Sequence, residues 1–387
     1  MKSPIARHLI GVPRSGIRDF FEIVSARKGV ISLGIGEPDF VTPWHISEAA
    51  LFALERGATA YTSNLGILEL REEVARYMER FYKVSYDPKT EILITVGVSE
   101  ALDLAIRALI EPGDEVLYHE PCYVSYAPVV TFAHGKAVAV STRREDDFRL
   151  TRAALEAKVS PRTKVLLLNF PTNPTGAVLP RKDCEEIAAF AIEHDLVVLT
   201  DEIYAELTYA GGHVSIASLP GMKERTIFLN GFSKTWAMTG WRIGFACAPP
   251  ELTEAMMKIH QYTIMCAPTL GQKAAIEALR HGEADAEHMR KDYEKRRNYI
   301  CASLEEMGIP CHLPKGAFYA FPYIGHFGLS SKDFALNLLD QENVACVPGT
   351  AFGSSGEGFI RCAYAANMPN IKEAMSRMAR FVGKLRK

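Results

Sequence analysis

Short apolar runs alternate with helical patterns between about residues 46 and 285, and this alternation restricts the fold more than any other feature of the sequence. The runs consist largely of consecutive apolar residues: EILITV (91–96), EVLYHEP (115–121), KVLLLNF (164–170), LVVLTDE (196–202) and TIFLN (226–230). Such runs are typical of strands buried on both faces, and strands that alternate with helices usually pair in parallel. The sequence therefore predicts an α/β fold in which a mixed, mostly parallel sheet is covered by helices on both faces.

The pattern changes after Glu287. A long charged helix is predicted from Glu287 to Gly308, followed by shorter strands and a final helix near Ile371 to Leu385. A chain of 387 residues exceeds what one hydrophobic core usually supports, so we expect two domains. The predicted division is a large domain of residues 46–285 and a smaller α+β domain formed by residues 1–45 and 286–387.

Composition and charge argue against several classes of function. The formal net charge is −2, with 48% hydrophobic and 23% charged residues, so no general attraction to nucleic acid is expected. No apolar run has the length of a membrane span, and the first residues do not resemble a secretion signal. The eight cysteines are scattered, without CxxC or the Cys/His spacing of a zinc site. We therefore expect a cytoplasmic protein without a metal site, a membrane partner or a nucleic-acid partner.

Polar residues follow five of the predicted strands. In parallel α/β sheets, ligands bind beyond the carboxyl ends of the strands. Each group alone has an ordinary explanation, such as a turn, a helix cap at Ser99, an ion pair or a packing tyrosine. Five such groups together are harder to explain by structure alone. The groups are Gly97-Val98-Ser99, Pro121-Cys122-Tyr123, Pro171-Thr172-Asn173, Asp201-Glu202-Ile203-Tyr204 and Gly231-Phe232-Ser233-Lys234.

Lys234 lies on a short connection between two predicted buried strands, where ammonium groups are uncommon without a partner. One explanation is a lysine whose stem packs while its head reaches water. The other is a lysine that forms a Schiff base with pyridoxal phosphate. That cofactor needs a carboxylate for its ring nitrogen, a cradle for its phosphate, an aromatic face and donors to its phenolic oxygen. Side chains of all these types follow the predicted strands or the lysine: Asp201, Ser99, Ser233, Arg242, Tyr123, Asn173 and Tyr204.

Several longer motifs resemble the class I pyridoxal-phosphate-dependent aminotransferases, which have the aspartate aminotransferase fold (fold type I). The resemblance covers nearly the whole chain, with the motifs in the order of that family. It is closest to the branch that contains aromatic and N-acetyl-diaminopimelate aminotransferases. The motifs are GEPDF (36–40), YTSNLGILELREEVA (from Tyr61), NPTG (173–176), DEIY (201–204), SKTWAMTGWRIG (233–244), KGAFYAFP (from Lys315) and VPGTAFG (from Val347).

The resemblance implies an enzyme that moves an amino group between an L-amino acid and a 2-oxo acid such as 2-oxoglutarate, by a ping-pong Schiff-base mechanism. It implies that Lys234 is the Schiff-base lysine and proton shuttle, and that Asp201 pairs with the ring nitrogen. Tyr204 and Asn173 would donate to the phenolic oxygen, and Tyr123 would stack on the ring. The phosphate would be bound by the backbone amides of Val98 and Ser99 and by the side chains of Ser233 and Arg242.

The resemblance also implies how substrate and subunits meet. Arg361 matches the arginine that holds the substrate's α-carboxylate, helped by Asn173 and the amide of Gly36, although a surface ion pair is the alternative from sequence alone. Tyr61 matches a tyrosine that reaches the phosphate of the neighbouring subunit, so a homodimer with shared active sites is expected. The bonds Glu120–Pro121 and Asn173–Pro174 are expected to be cis.

Two positions depart from patterns found in this family. Gly231 stands where many members have a serine that binds phosphate, so one hydroxyl is missing. Ser99 stands where some dicarboxylate-specific relatives have a lysine. The expected rim of the substrate pocket, Ser15-Gly16-Ile17 with Ile35, is largely small or apolar. We therefore expect broad specificity that favours aromatic donors over aspartate.

Three other functions have less support from the sequence. A dinucleotide-binding oxidoreductase could be argued from Gly34-Ile35-Gly36, but a third glycine is missing and Pro38 blocks the required helix. A regulator built on an aminotransferase domain would need a DNA-binding segment, and none is recognisable before residue 30. A pyridoxal-phosphate-dependent carbon–sulfur β-lyase remains the alternative, because it would use the same Lys234, Asp201 and Arg361.

Overall fold

The computed structural model describes residues 4–25 and 27–386, in which the chain forms twelve β-strands and thirteen α-helices. The strands are β1 (Ile31–Ser32), β2 (Ile92–Thr95), β3 (Glu115–Glu120), β4 (Lys136–Ser141), β5 (Thr163–Leu168), β6 (Val197–Asp201), β7 (Thr226–Gly231), β8 (Gly244–Cys247), β9 (Tyr319–Ala320), β10 (Val344–Ala345), β11 (Val347–Pro348) and β12 (Ile360–Ala363). The helices are α1 (Arg7–Ile10), α2 (Gly16–Ser25), α3 (Trp44–Glu55), α4 (Leu68–Tyr77), α5 (Gly97–Leu109), α6 (Tyr126–Phe132), α7 (Arg152–Glu156), α8 (Arg181–Glu193), α9 (Pro250–Thr263), α10 (Thr269–His281), α11 (Glu283–Glu306), α12 (Ser331–Glu342) and α13 (Met368–Leu385). None of the described helices combines the length and the apolar character that a membrane span requires.

Seven strands form the main sheet, in the order β2-β8-β7-β6-β5-β3-β4. The pairs from β7 to β4 are parallel, whereas β8 runs antiparallel to both of its neighbours, β2 and β7. The strands β2, β3, β7 and β8 are buried at every residue. These observations confirm the predicted mixed, mostly parallel sheet.

Helices cover both faces of this sheet. Successive residues of a strand point to opposite faces, so each strand contributes side chains to the cores on both sides. Leu93 packs in a core that includes side chains of α5 and α6. Its neighbours Ile92 and Ile94 pack in a different core, which includes side chains of α4 and α10. The consecutive apolar residues of the runs therefore fill two cores at once, which is why the runs contain so few polar positions.

Two smaller sheets lie outside the main sheet. β1 pairs in parallel with β10, and β9, β12 and β11 form an antiparallel sheet in the order β11-β12-β9. Residues of β1, β9, β10 and β12 pack in one core with apolar side chains of α11, α12 and α13, whereas Val347 of β11 packs in another core with side chains of α8. The segment around Ile31 is thus tied to the C-terminal part of the chain.

The ends of some helices differ from the predicted ends by a few residues. α11 begins at Glu283, four residues before the predicted start, and α13 begins at Met368, three residues before it. The start of α13 is set by Asn367, whose side chain accepts a hydrogen bond from the backbone N–H of Asn370. Asn367 lies before the first residue of the predicted helix, so the predicted start did not include this cap.

Candidate active site

The carboxyl ends of β3, β5, β6 and β7 open into one cleft of about 810 Å³. All the predicted site residues except Tyr61 line it, as do Ser15, Ile17 and Ile35 of the predicted pocket rim. Tyr61 lies outside the cleft of its own chain and is 80% exposed. The residues brought together are Gly36, Val98, Ser99, Tyr123, Asn173, Asp201, Tyr204, Ser233, Lys234, Arg242 and Arg361.

Lys234 lies on the loop that turns the chain from β7 into the antiparallel β8. Its Nζ donates a hydrogen bond to the carbonyl oxygen of Gly36 at 2.7 Å. Burial is the main cause that lowers the pKa of Lys234 to about 8, against the opposing effect of Glu37. The positive charges of Arg361 and Arg242 lower this pKa further. A substantial share of this amine is therefore neutral near physiological pH.

Asp201 is the last residue of β6 and is buried. Its Oδ2 accepts a hydrogen bond from the hydroxyl of Tyr126 at 2.8 Å, and its Oδ1 accepts from the backbone N–H of Ile203 at 3.2 Å. Burial raises the pKa of Asp201 to about 6, and the hydrogen bond from Tyr126 opposes that rise. A protonated ring nitrogen placed beside this carboxylate would favour its charged form.

Tyr126 was not predicted as a site residue. It lies three positions after Tyr123, and the two rings contact edge to face at 5.7 Å between centroids. An aromatic residue at the start of a helix is usually a core residue, and Tyr126 is indeed buried. Only the contact with Asp201 distinguishes it, and the sequence does not show that contact.

The first turn of α5 forms a cradle for an anion. The helix begins at Gly97, so the N–H groups of Val98 and Ser99 have no acceptor within the helix. A Cβ atom at Gly97 would lie 2.6 Å from Nη2 of Arg242, so the guanidinium occupies the space beside this turn. Free N–H groups at a helix N-terminus, together with an arginine, suit a phosphate.

The expectation that Ser99 caps α5 is wrong. The helix starts two residues earlier, and the carboxylate of Glu100 accepts the N–H of Val96 at its start. Gly97 has φ +70°, a conformation that glycine adopts readily, and it turns the chain from β2 into the helix. Ser99 therefore lies inside the first turn of α5 and lines the cleft.

The missing serine at position 231 has a steric explanation. A Cβ atom on Gly231 would lie 2.9 Å from the Cα of Gly244 and 3.0 Å from the carbonyl oxygen of Ile243. The two strands are too close at this point for a side chain. The Ser233 hydroxyl and the Arg242 guanidinium remain in the cleft beside the first turn of α5.

Arg361, on β12, is 1% exposed. Its Nη1 donates to Oδ1 of Asn173 at 2.9 Å, and its Nη2 donates to the carbonyl oxygen of Gly34 at 2.6 Å. The guanidinium lies against the rings of Tyr319 and Phe352, at 4.5 and 4.8 Å from their centroids. Its Nε has no hydrogen-bond partner among the described residues, and no described acidic side chain pairs with it. The alternative of a surface ion pair is therefore wrong, and the buried guanidinium is suited to bind a carboxylate.

Asn173 and its neighbours take the expected backbone form. Glu120–Pro121 and Asn173–Pro174 are both cis, as predicted, and Phe170–Pro171 is cis as well. The backbone N–H of Asn173 donates to Oδ1 of Asn169 at 3.2 Å. Because Arg361 occupies the amide oxygen of Asn173, the amide NH2 group is left as the donor for a ligand.

The remaining donor, Tyr204, follows β6 and is buried, with its hydroxyl 2.7 Å from that of Tyr319. Tyr319 was not singled out from the sequence, although it lies within the KGAFYAFP motif. With these two tyrosines, the cleft contains a lysine amine, a buried carboxylate, free N–H groups beside an arginine, two phenolic hydroxyls and a second, buried arginine. The residues present therefore fit pyridoxal phosphate together with an amino acid.

The chain is similar in sequence and in fold to known proteins. The sequence profile of the family described as "Aminotransferase class I and II" matches residues 28–378. The aromatic-amino-acid aminotransferase 2 of Thermococcus litoralis is 50% identical over 367 residues, which cover 94% of this chain and 94% of that protein. The aspartate aminotransferase of Pyrococcus abyssi is 49% identical over 367 residues, with the same coverage of 94% and 94%. The crystal structure of the aromatic aminotransferase from Pyrococcus horikoshii OT3 has a TM-score of 0.91 at 48% identity, covering 95% of this chain and 99% of that one.

Proposed function

Because the chain belongs to the class I and II aminotransferases and is a pyridoxal-phosphate-dependent enzyme, we propose that the cleft around Lys234 is its active site. The enzyme transfers an amino group between an amino acid and a 2-oxo acid. The relatives described above are named as aminotransferases, which gives the β-lyase alternative no support. The observation that carries the proposal is the buried Arg361, which lies in the same cleft as Lys234 and has no acidic partner among the described residues.

Each cofactor-binding residue has a proposed role. When bound, pyridoxal phosphate withdraws electrons from the bonds at the α-carbon of the amino acid joined to it. Asp201 would hold the proton on the ring nitrogen, and Tyr123 would lie against the ring. Tyr204 and Asn173 would donate to the phenolic oxygen. The phosphate would lie among the N–H groups of Val98 and Ser99 and the side chains of Ser233 and Arg242.

The substrate would be held at two points. Arg361 would bind the α-carboxylate through two parallel hydrogen bonds, helped by Asn173 and the N–H of Gly36. Lys234 would remove the proton from the α-carbon and hold it on its amine, because its lowered pKa leaves a larger neutral fraction than an ordinary lysine has. The fixed position of the carboxylate brings the α-carbon into the reach of Lys234.

The preferred donor is proposed to be an aromatic amino acid, within a broad specificity. The cleft lining includes the apolar side chains of Ile17, Ile35 and Val124. Among the described side chains that line the cleft, the cations are Lys234, Arg242 and Arg361. Each already has a proposed role, so none of these described cations is left for a side-chain carboxylate. The relatives do not decide the question, because one is named for aromatic amino acids and another for aspartate at nearly the same identity.

A homodimer with shared sites is also proposed. The side chains of Trp44, Tyr61 and Tyr262 are 67%, 80% and 87% exposed. The segment that carries Tyr61 lies against the end of α9, since the Asn64 amide donates to the carbonyl oxygen of Met265 at 2.7 Å. Exposed apolar side chains on neighbouring segments are typical of a surface that another protein covers. A second copy of the chain would cover these residues and receive Tyr61 at its phosphate cradle.

The two-domain division and the location are proposals as well. The main sheet uses strands between Ile92 and Cys247, whereas the smaller sheets use residues near position 31 and after position 318. This arrangement supports a large domain of residues 46–285 and a small domain of residues 1–45 and 286–387. All eight cysteines are free thiols, which supports a cytoplasmic location.

An assay over a panel of amino donors tests the proposed activity. Each donor is supplied with 2-oxoglutarate, and the formation of glutamate is measured together with ammonia and pyruvate. We expect stoichiometric glutamate from tyrosine and phenylalanine, with a smaller kcat/KM for aspartate. Aspartate exceeding every aromatic donor by about a hundredfold, or roughly 2.7 kcal/mol, would contradict the proposed specificity. Release of pyruvate and ammonia from cystathionine without glutamate would contradict transamination.

A further inference from the structure

Tyr319 touches three residues to which the proposed active site gives different tasks. Its hydroxyl lies 2.7 Å from the hydroxyl of Tyr204 and 3.4 Å from the carbonyl oxygen of Gly36. Its ring centroid lies 4.5 Å from the central guanidinium carbon of Arg361. The side chain is fully buried, lines the cleft and is fixed on β9, which pairs with the strand that carries Arg361.

The position of the Tyr319 hydroxyl depends on the absence of a side chain at residue 36. A Cβ atom at Gly36 would lie 2.9 Å from that hydroxyl oxygen, a distance that side-chain carbons essentially never adopt. The carbonyl oxygen of Gly36 also accepts the hydrogen bond from Nζ of Lys234. Tyr319 is therefore close to the donor proposed for the phenolic oxygen, the arginine proposed for the substrate and the acceptor of the lysine.

We propose that Tyr319 is a positioning residue that connects the substrate-binding Arg361 to the cofactor-facing hydroxyl of Tyr204. Its ring supports the guanidinium from one side, and its hydroxyl directs the Tyr204 hydroxyl. This inference rests on the proposed function, since it assigns Tyr204 to the phenolic oxygen and Arg361 to the substrate carboxylate.

The direction of the hydrogen bonds follows from the number of protons. Tyr204 has one hydroxyl proton, and in the proposed site it donates that proton to the phenolic oxygen. The oxygen of Tyr204 can then only accept from Tyr319, whose single proton is directed to Tyr204 at 2.7 Å instead of to the carbonyl oxygen of Gly36 at 3.4 Å. A hydroxyl that accepts a hydrogen bond becomes a stronger donor, so Tyr319 strengthens the bond from Tyr204 to the cofactor.

The ring of Tyr319 acts on Arg361 in a separate way. The guanidinium lies over the rings of both Tyr319 and Phe352, so two aromatic faces restrict its position. A cation over aromatic faces is stabilised without an acidic partner, and its donors stay available for a carboxylate. Removing the hydroxyl alone and removing the whole ring should therefore have different consequences.

Absorbance titration of the bound cofactor tests the role of the hydroxyl, because this absorbance changes with the proton on the nitrogen contributed by Lys234. Tyr319→Phe should weaken the donor to the phenolic oxygen, make that oxygen more negative and favour a proton on the nearby nitrogen. We therefore expect the pH at the midpoint of the absorbance titration to be higher in Tyr319→Phe by about half a unit to one unit. The charged groups that face Lys234, which are Glu37, Arg361, Arg242 and Asp201, are unchanged in this variant.

Tyr364→Phe is the matched control. It also removes one hydroxyl from a buried tyrosine of the same core, where the hydroxyl donates to the carbonyl oxygen of Ala317 at 3.2 Å. Tyr364 does not line the cleft, so its variant should keep the wild-type midpoint. An unchanged midpoint in Tyr319→Phe, or an equal shift in both variants, would overturn the role of the hydroxyl.

Binding of 3-phenylpropionate tests the role of the ring. Tyr319→Phe keeps the aromatic face and should bind this carboxylate as the wild type does. Tyr319→Leu removes the face and should bind it about three- to tenfold more weakly. Equal affinity in all three proteins would overturn the link to Arg361. Failure of the wild type to bind the cofactor would instead contradict the proposed function, so the two failures can be distinguished.

Discussion

At the residue scale, Arg361 shows most clearly how burial turns a common residue type into a specific binding group. Its guanidinium is 1% exposed and donates to neutral oxygen atoms of Asn173 and Gly34. No described acidic side chain pairs with it, and a buried cation without such a partner is costly, which supports the proposal that a ligand supplies the negative charge. The sequence alone could not separate this arrangement from a surface ion pair, because burial does not appear in a motif.

Replacing Arg361 should reduce the use of every donor to a similar extent. The α-carboxylate is common to all amino acids, and removing one partner of a buried ion pair costs roughly 3–5 kcal/mol. Arg361→Ala should therefore lose about two to four decades of kcat/KM for each donor in the panel. Arg361→Lys, which keeps the charge but not the paired hydrogen bonds, should lose less. A loss confined to one donor class would show that Arg361 binds a side chain instead.

The lysine should show its lowered pKa when the protein without cofactor takes up pyridoxal phosphate. Only the neutral amine attacks the aldehyde, and the neutral fraction rises as pH increases through the pKa of about 8. We expect the rate of covalent uptake to rise through this pH and then level off. Lys234→Ala should show no covalent uptake of pyridoxal phosphate at this site. A rate that still increases steeply toward about pH 10.4, the ordinary lysine value, would contradict the effect of burial.

At the scale of elements, the strands and the positions of the site residues after them were predictable, because continuous apolar runs have few interpretations. The start of α5 was not predictable from Ser99, since Gly97 already turns the chain and the Glu100 carboxylate accepts the N–H of Val96 before the helix. Tyr319 was missed for a different reason. It follows no strand of the main sheet and enters the cleft from β9, so only the tertiary structure brings it beside Tyr204.

The turn at Gly97 should be essential for phosphate binding. A methyl group there would lie 2.6 Å from Nη2 of Arg242, and its φ of +70° is unfavourable for alanine. Gly97→Ala should weaken cofactor binding by at least about tenfold, since displacement of a charge-assisted contact costs about 1.5 kcal/mol or more.

Gly113→Ala is the matched control for the turn. Gly113 also has a positive φ, of +102°, but a Cβ atom there would meet no atom within 4 Å. Both variants should lose some thermal stability from backbone strain, and only Gly97→Ala should lose cofactor affinity. Equal cofactor affinities of the two variants, measured by fluorescence titration of the protein without cofactor, would contradict the proposal that the turn at Gly97 helps to bind the phosphate.

At the scale of the whole molecule, the cleft of one chain lacks one of the residues that the family resemblance assigns to it. Tyr61 is exposed, as are the apolar side chains of Trp44 and Tyr262. A symmetric dimer would place the same surface of each chain against its copy. The sequence indicated a dimer only through the family resemblance, because the exposure of an apolar side chain can be seen only in the folded chain.

Mixing two inactive variants tests whether the sites are shared. In a heterodimer of Tyr61→Phe and Lys234→Ala chains, one site contains an intact Lys234 together with an intact Tyr61 from the other chain. We expect this site to regain wild-type cofactor affinity and turnover after the subunits exchange. Mixing Lys234→Ala with the double variant Tyr61→Phe, Lys234→Ala should restore nothing. Heterodimers that form without any regained activity would contradict shared sites.

The most direct test of the account is to find the lysine that carries the cofactor. The protein is saturated with pyridoxal phosphate, reduced with borohydride and digested, and the modified peptide is identified by mass spectrometry. We expect a single modified peptide that contains Lys234. The Lys234→Ala protein should have lost the modification and nearly all turnover. A modified lysine elsewhere in the chain, or a wild-type protein that takes up no cofactor, would contradict this expectation.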